Sequence, residues 1–93
     1  MNRVITYRGY EWEVTPVRRL DHFPLDQMQD IVGGYVEFIE LRNGQTIVAD
    51  ADGKWKDYPY NEKATELMRK SYPGSTDFIV GNVLICDSDM IGD

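Results

Sequence analysis

A chain of 93 residues fits one domain, taken here as 1–93, with a single small core. Sixteen acidic against ten basic residues give a net charge of −6, which repels phosphate backbones and argues against direct nucleic-acid binding. No stretch nears the roughly 18 apolar residues of a membrane span, residues 1–7 hold no apolar leader core, and Cys86 has no second cysteine to pair with. These features predict a protein of the cytoplasm, with no membrane contact.

Residues 4–7 and 10–15 read as two strands around Arg8-Gly9. The second alternates Tyr10, Trp12 and Val14 with Glu11, Glu13 and Thr15, the period of a half-buried strand. Pro16 ends it or places it at a sheet edge. Residues 18–23 form a loop, and Pro24 suits the first turn of a helix. Leu25, Met28, Ile31 and Val32 then share one face, which predicts a helix over 24–32 stopped by Gly33.

Residues 34–41 carry apolar side chains on both parities, which predicts a central strand covered on both sides. Arg42-Asn43-Gly44-Gln45 predicts a hairpin closed by a type I′ turn, with 46–49 returning as its partner. Asp52-Gly53 marks the next turn, and 54–60 form an aromatic-rich connection with room for a short strand. Asn61 is placed to cap a second helix over 62–71, with Ala64, Leu67, Met68 and Tyr72 inward and Pro73-Gly74 beyond it. Residues 78–86 are nearly all apolar, hence a buried strand, with Gly81-Asn82 marking a bulge or a close backbone approach. The fold class is α+β in the order ββαββαβ, one mainly antiparallel sheet packed with two short helices.

The block Ile31-Val32-Gly33-Gly34-Tyr35-Val36-Glu37, with residues 25–30 before it, resembles the signature of a small domain family of unknown function. Its members occur in bacteriophages, plasmids and bacteria that carry such elements. The strand and Asp52-Gly53 turn, Pro59-Tyr60-Asn61 before the second helix, and the closing strand follow in the family's order, so the resemblance spans about 24–86. The N-terminal hairpin with Tyr7, Tyr10 and Trp12 reads as this chain's own. The resemblance implies a mobile-element setting in a bacterial host, and supplies no catalytic residues.

Catalytic patterns are sparse. His22 lies in a polar loop and Cys86 in a buried strand, so the pair lacks the geometry of a nucleophile with its base. One histidine and one cysteine give no zinc spacing. An EF-hand built on Asp50 and Asp52 would need ligands at Val48 and Pro59, and both fail. Gly53-Lys54 lacks the upstream glycine of a phosphate loop, and Gly33-Gly34 follows a helix rather than leading one. Glu11/Glu13 and Glu37/Glu40 read as solvated faces rather than acid–base pairs. No metal and no cofactor is expected.

The best binding candidates are Trp55, Tyr58 and Tyr60 with Lys54, Lys56, Asn61 and Lys63, and Trp12 on the hairpin. Aromatic rings beside cations stack on bases or form protein hot spots, although they also cap small cores. Asp50, Asp52 and Asp57, with Asp87, Asp89 and Asp93, form two acidic groups that solubilise the chain or imitate a nucleic acid toward a basic partner. The leading expectation is a non-enzymatic phage or mobile-element protein that binds a host protein stoichiometrically, as an inhibitor of a defence system. The alternatives are a sponge for a small nucleotide signal, built between subunits of a homo-oligomer, and an accessory or regulatory module. A continuous acidic stripe would favour mimicry, and a basic aromatic pocket would favour a ligand.

Overall fold

The computed structural model describes residues 2–19 and 21–92, so Leu20 of the predicted loop and Asp93 of the C-terminal acidic group lie outside the described residues, as does Met1. The elements are β1 (Arg3–Ile5), β2 (Glu11–Glu13), α1 (Leu25–Val32), β3 (Val36–Glu40), β4 (Gln45–Asp50), α2 (Glu62–Ser71) and β5 (Val83–Asp87), closed by a 3-10 turn at Ser88–Met90. The five strands form one antiparallel sheet in the order β2-β1-β5-β4-β3. The α+β order read from the sequence is the order observed.

Strand parity divides the core in two. Ile5, Ile47, Ala49, Val83 and Ile85 point to one face and pack with Ala64 and Met68 of α2. Val48, Leu84 and Cys86 point to the other and pack with Met28 and Val32 of α1 and with Phe23. The helices therefore cover opposite faces, and β4 and β5 are buried on both.

Register shows where the sequence reading of β3 fails. Ile39 pairs with Ile47 and Phe38 with Val48, and no described strand lies beyond β3. The strand expected at the centre is an edge. Its apolar residues on both parities follow from a sheet with a helix on each face, since Val36 packs toward α1 and Ile39 joins the α2 cluster. Parity reports how many faces are covered, not how far a strand lies from the middle.

The hairpin before β4 also differs. Leu41 N–H donates to Gln45 O at 2.8 Å, so the loop holds three residues, 42–44. Among the described residues only Asp57 combines a side chain with positive φ, so Asn43 does not take the type I′ conformation; Gly44 alone turns left-handed, at φ 85°. This is the three-residue loop with a left-handed third position. The Asn43 side chain accepts from Gln45 N–H at 3.0 Å, and Ser88 N–H donates to Gly44 O at 2.8 Å.

The helix signals hold. Gly33 ends α1 with φ 94°, and its N–H donates to Gln29 O. Asn61 caps α2 by accepting from Ala64 N–H at 3.0 Å. Residues 51–57 are turns rather than a strand, with one bridge between Tyr60 and Val80. Gly81, at φ 75°, precedes β5 and marks a close approach: an added Cβ would stand 2.7 Å from Tyr58 Cδ2. The first two strands are shorter than read, and every β2 residue is exposed, because β2 lies at the other sheet edge.

Candidate functional site: an acidic aromatic cleft beside the β3 edge

The turn after β4 is built around one ring. Gly33, Gly53 and Gly81 each leave room for Tyr58, whose hydroxyl would lie 2.9 Å from a Cβ at Gly33. Tyr58 is thus half-buried and structural. Gly34 serves the neighbouring ion pair in the same way, since a Cβ there would stand 2.5 Å from Lys56 Nζ and 2.9 Å from Asp50 Oδ2. The Gly33-Gly34 doublet therefore does two things: it stops a helix and clears space for the 50–58 turn.

Asp50 leaves the acidic surface at this point. Its side chain is 1% exposed, its Oδ2 lies 2.7 Å from Lys56 Nζ, and its Oδ1 accepts from Asp52 N–H at 2.8 Å. Burial works to raise its pKa, but the Lys56 ammonium and the Asp52 N–H outweigh it and hold the carboxyl below its ordinary value. Asp52 and Asp57 are exposed. The second acidic group lies elsewhere: Asp87 pairs in register with Gln45, at the opposite end of β4 from Asp50. Five strand steps separate the two groups, about 17 Å. The two groups thus lie at opposite ends of β4.

Asn61, expected at a ligand, is fully buried. Besides capping α2, its Nδ2 donates to Ile5 O at 3.1 Å and Gly81 O at 2.7 Å. Thr65 supports the same junction, accepting from Ile79 N–H at 2.9 Å. Lys63 and Trp12 are drawn away from the other candidates. Lys63 Nζ donates to Gly9 O at 2.8 Å and Glu11 Oε2 at 2.9 Å, fastening α2 to the hairpin that carries Trp12. That hairpin is four strand spacings from β3, about 19 Å.

What remains together is Trp55, Lys54 and the segment before β5. Trp55 is 88% exposed. With Lys54, Glu37, Ala49, Asp77 and Phe78 it lines a cleft of about 230 Å³. Tyr60 is half exposed and meets Phe78 at 6.1 Å between ring centroids. Lys54 Nζ lies 4.3 Å from the Phe78 centroid and donates to Asp77 Oδ1. Sequence reasoning missed Glu37, Asp77 and Phe78 as members, because strand pairing and the return of the chain bring them there.

The electrostatics of the cleft are acidic. Asp77 is held low, first by Lys54 and then by the Phe78 N–H. Glu37 moves the other way. Partial loss of water raises its pKa, Lys54 opposes this, and Asp77, Asp50 and Asp52 add to it. Among the described residues the Glu37 carboxylate has no hydrogen bond or ion pair. The lysines around the aromatic rings are engaged by carboxylates: Lys54 by Asp77, Lys56 by Asp50 and Lys63 by Glu11. The pocket is aromatic and acidic, where a phosphate ligand would need it basic.

His22 holds Asp21 Oδ1 at 3.0 Å. Cys86 is fully buried, and burial followed by Asp87 and Asp89 pushes its thiol up to about 12. Such a thiol is shielded and protonated. Among the described residues no three His, Cys, Asp or Glu side chains gather as metal ligands, and no helix is long and apolar enough to cross a membrane.

This geometry defines a small α+β domain with a surface cleft. The chain belongs to the family described as a domain of unknown function, DUF3846, whose model matches residues 3–93. The match takes in the N-terminal hairpin, which the sequence reading had set apart from the family. No curated protein and no solved structure matches the chain.

Proposed function

We propose that this chain is a non-enzymatic protein that acts by binding another protein stoichiometrically through the Trp55 face. The observation that carries this reading is the exposed Trp55 indole in one cleft with Phe78, which Tyr60 meets in turn, rimmed by carboxylates. Large aromatic rings exposed at a surface dominate interface energy when a partner buries them. An acidic rim selects a basic partner and speeds its approach. The resemblance of residues 25–37 to proteins of phages and plasmids extends the proposal to a host target, and to inhibition of a host defence system as the purpose.

A nucleotide sponge receives less support, because the lysines nearest the rings are neutralised in place. The test is affinity capture from a bacterial host, followed by stoichiometry on the purified complex. A one-to-one complex that Trp55→Ala weakens by at least about tenfold supports the reading. A complex that Trp55→Ala and Phe78→Ala leave unchanged overturns it.

A further inference from the structure

Strand β3 offers a free backbone edge as well as a side-chain face. Ala51 N–H donates to Tyr35 O at 2.8 Å, and Leu41 N–H to Gln45 O at 2.8 Å. Both are hydrogen-bonded positions of the β3–β4 ladder, and in an antiparallel pair such positions alternate. Residues 35, 37, 39 and 41 therefore turn their N–H and C=O toward β4, while Val36, Phe38 and Glu40 turn theirs outward. The Tyr72 hydroxyl donates to Glu40 O, which closes that end. Both polar groups of Val36 and of Phe38, and the Glu40 N–H, face outward with no strand beyond them among the described residues.

Side chains along this edge are patterned. Phe38 is 46% exposed and shares a face with Val36. Glu37 is on the other face, where it lines the acidic aromatic cleft without a direct ion pair among the described residues. Glu37 and Glu40 place two carboxylates on a five-residue strand and no base.

We propose that β3 is a docking edge for an extended segment of a partner protein, one that adds a sixth antiparallel strand and alternates basic with apolar side chains. The inference rests on the protein-binding reading and names the partner's chemistry. Main-chain hydrogen bonds to residues 36, 38 and 40 hold the segment, and alternate side chains select it. An arginine or lysine on the cleft side lies over Glu37, which has no direct ion pair of its own among the described residues, with the exposed Trp55 ring offering a face to the cation. Apolar side chains on the other side cover Val36 and Phe38. A second copy of this chain fits less well, since it brings another net charge of −6 and sets acidic edge against acidic edge.

The test uses the full chain and a synthetic ten-residue peptide of alternating arginine and valine, with a glutamate–valine peptide as control. Amide hydrogen exchange is read with and without peptide, and affinity by calorimetry. Protection of the Val36, Phe38 and Glu40 amides by the basic peptide alone is the expected result. Phe38→Pro removes an N–H that β4 does not use, which an edge strand accommodates. It should weaken binding by about tenfold or more with no change in net charge. Glu37→Lys should weaken it as well, and melting curves of both variants confirm that they fold.

Equal binding by Phe38→Pro, or protection confined to other segments, overturns the proposal. A concentration-dependent dimer abolished by Phe38→Pro assigns the edge to a second copy, and overturns it too. A captured partner retained at full affinity by Phe38→Pro but lost by Trp55→Ala removes the edge and leaves the protein-binding reading standing. Peptide pairing at β3 with no Trp55-dependent partner does the reverse.

Discussion

The side-chain amide of Asn61 donates to the backbone carbonyl of Ile5 at 3.1 Å, across 56 positions of sequence. One residue thus joins the start of α2, the end of β1 and, through Gly81 O, the entry to β5. All of its polar atoms are buried and engaged.

Asn61→Ala removes the cap and the side-chain hydrogen bonds to the Ile5 and Gly81 carbonyls. A lost cap costs about 1 kcal/mol, and loss of the buried hydrogen bond to Gly81 O a further ~1–3 kcal/mol. A loss of about 3 kcal/mol or more is expected in urea unfolding, with the slope unchanged. Asn61→Asp keeps the cap acceptor but faces two carbonyls with a carboxylate. Burial and those carbonyls raise its folded pKa, so that variant should gain stability as pH falls.

Gly81→Ala places a methyl 2.7 Å from the Tyr58 ring at φ 75°. Left-handed strain costs about 1–2 kcal/mol and overpacking another ~1–3 kcal/mol. Removing the ring should relieve only the second part. In a Tyr58→Ala background the cost of Gly81→Ala should fall to about 1 kcal/mol, read as a double-mutant cycle.

Acid should weaken the 50–58 turn. The folded pKa of Asp50 lies below its ordinary value of 3.8, so its contribution is complete above that value and is lost as pH falls through the folded one. Glu37 has the opposite sign: its raised pKa gives stability that is present below 4.5 and lost as pH rises through the folded value. Unfolding curves from pH 7 to pH 3 should therefore show Asp50→Asn with a shallower acid loss than the parent, and Glu37→Gln with a steeper one.

Trp55→Ala should leave stability within about 0.5 kcal/mol, because an exposed ring loses little on truncation. Acrylamide, a neutral quencher, should reach Trp55 freely in the isolated chain, and a bound partner should shield it. A Trp12→Phe background isolates the Trp55 signal.

Cys86 should resist thiol reagents. With its pKa near 12 and no exposed surface, it is expected to react with a disulfide reagent at pH 8 only as fast as the sheet opens. Denaturant should release the reaction.

The sequence by itself determined the local events of this protein. Asn61 before an apolar stripe gives a cap and a helix over Glu62–Ser71, and Gly33 after Val32 gives a left-handed stop, because the groups involved are within four residues of one another. Of the apolar run 78–86 read as one buried strand, the part from Val83 on forms β5, buried on both faces, while 78–82 precede it with only a bridge at Val80. Only the tertiary structure decided which strand lies at the edge, since a ladder partner such as Ile85 for Ile47 is chosen 38 positions away by competition among all strands. It also decided the site. Asn43-Gly44 suits two hairpin forms, and the contact of Ser88 with Gly44 accompanies the three-residue one. Asp50 and Lys63 look free in the sequence, but ion pairs claim them, and Asn61, legible as a cap, is also claimed by buried hydrogen bonds. Charge and aromaticity are composition, visible in any listing of residues, whereas which of those groups still faces water depends on the packing that satisfies the others first.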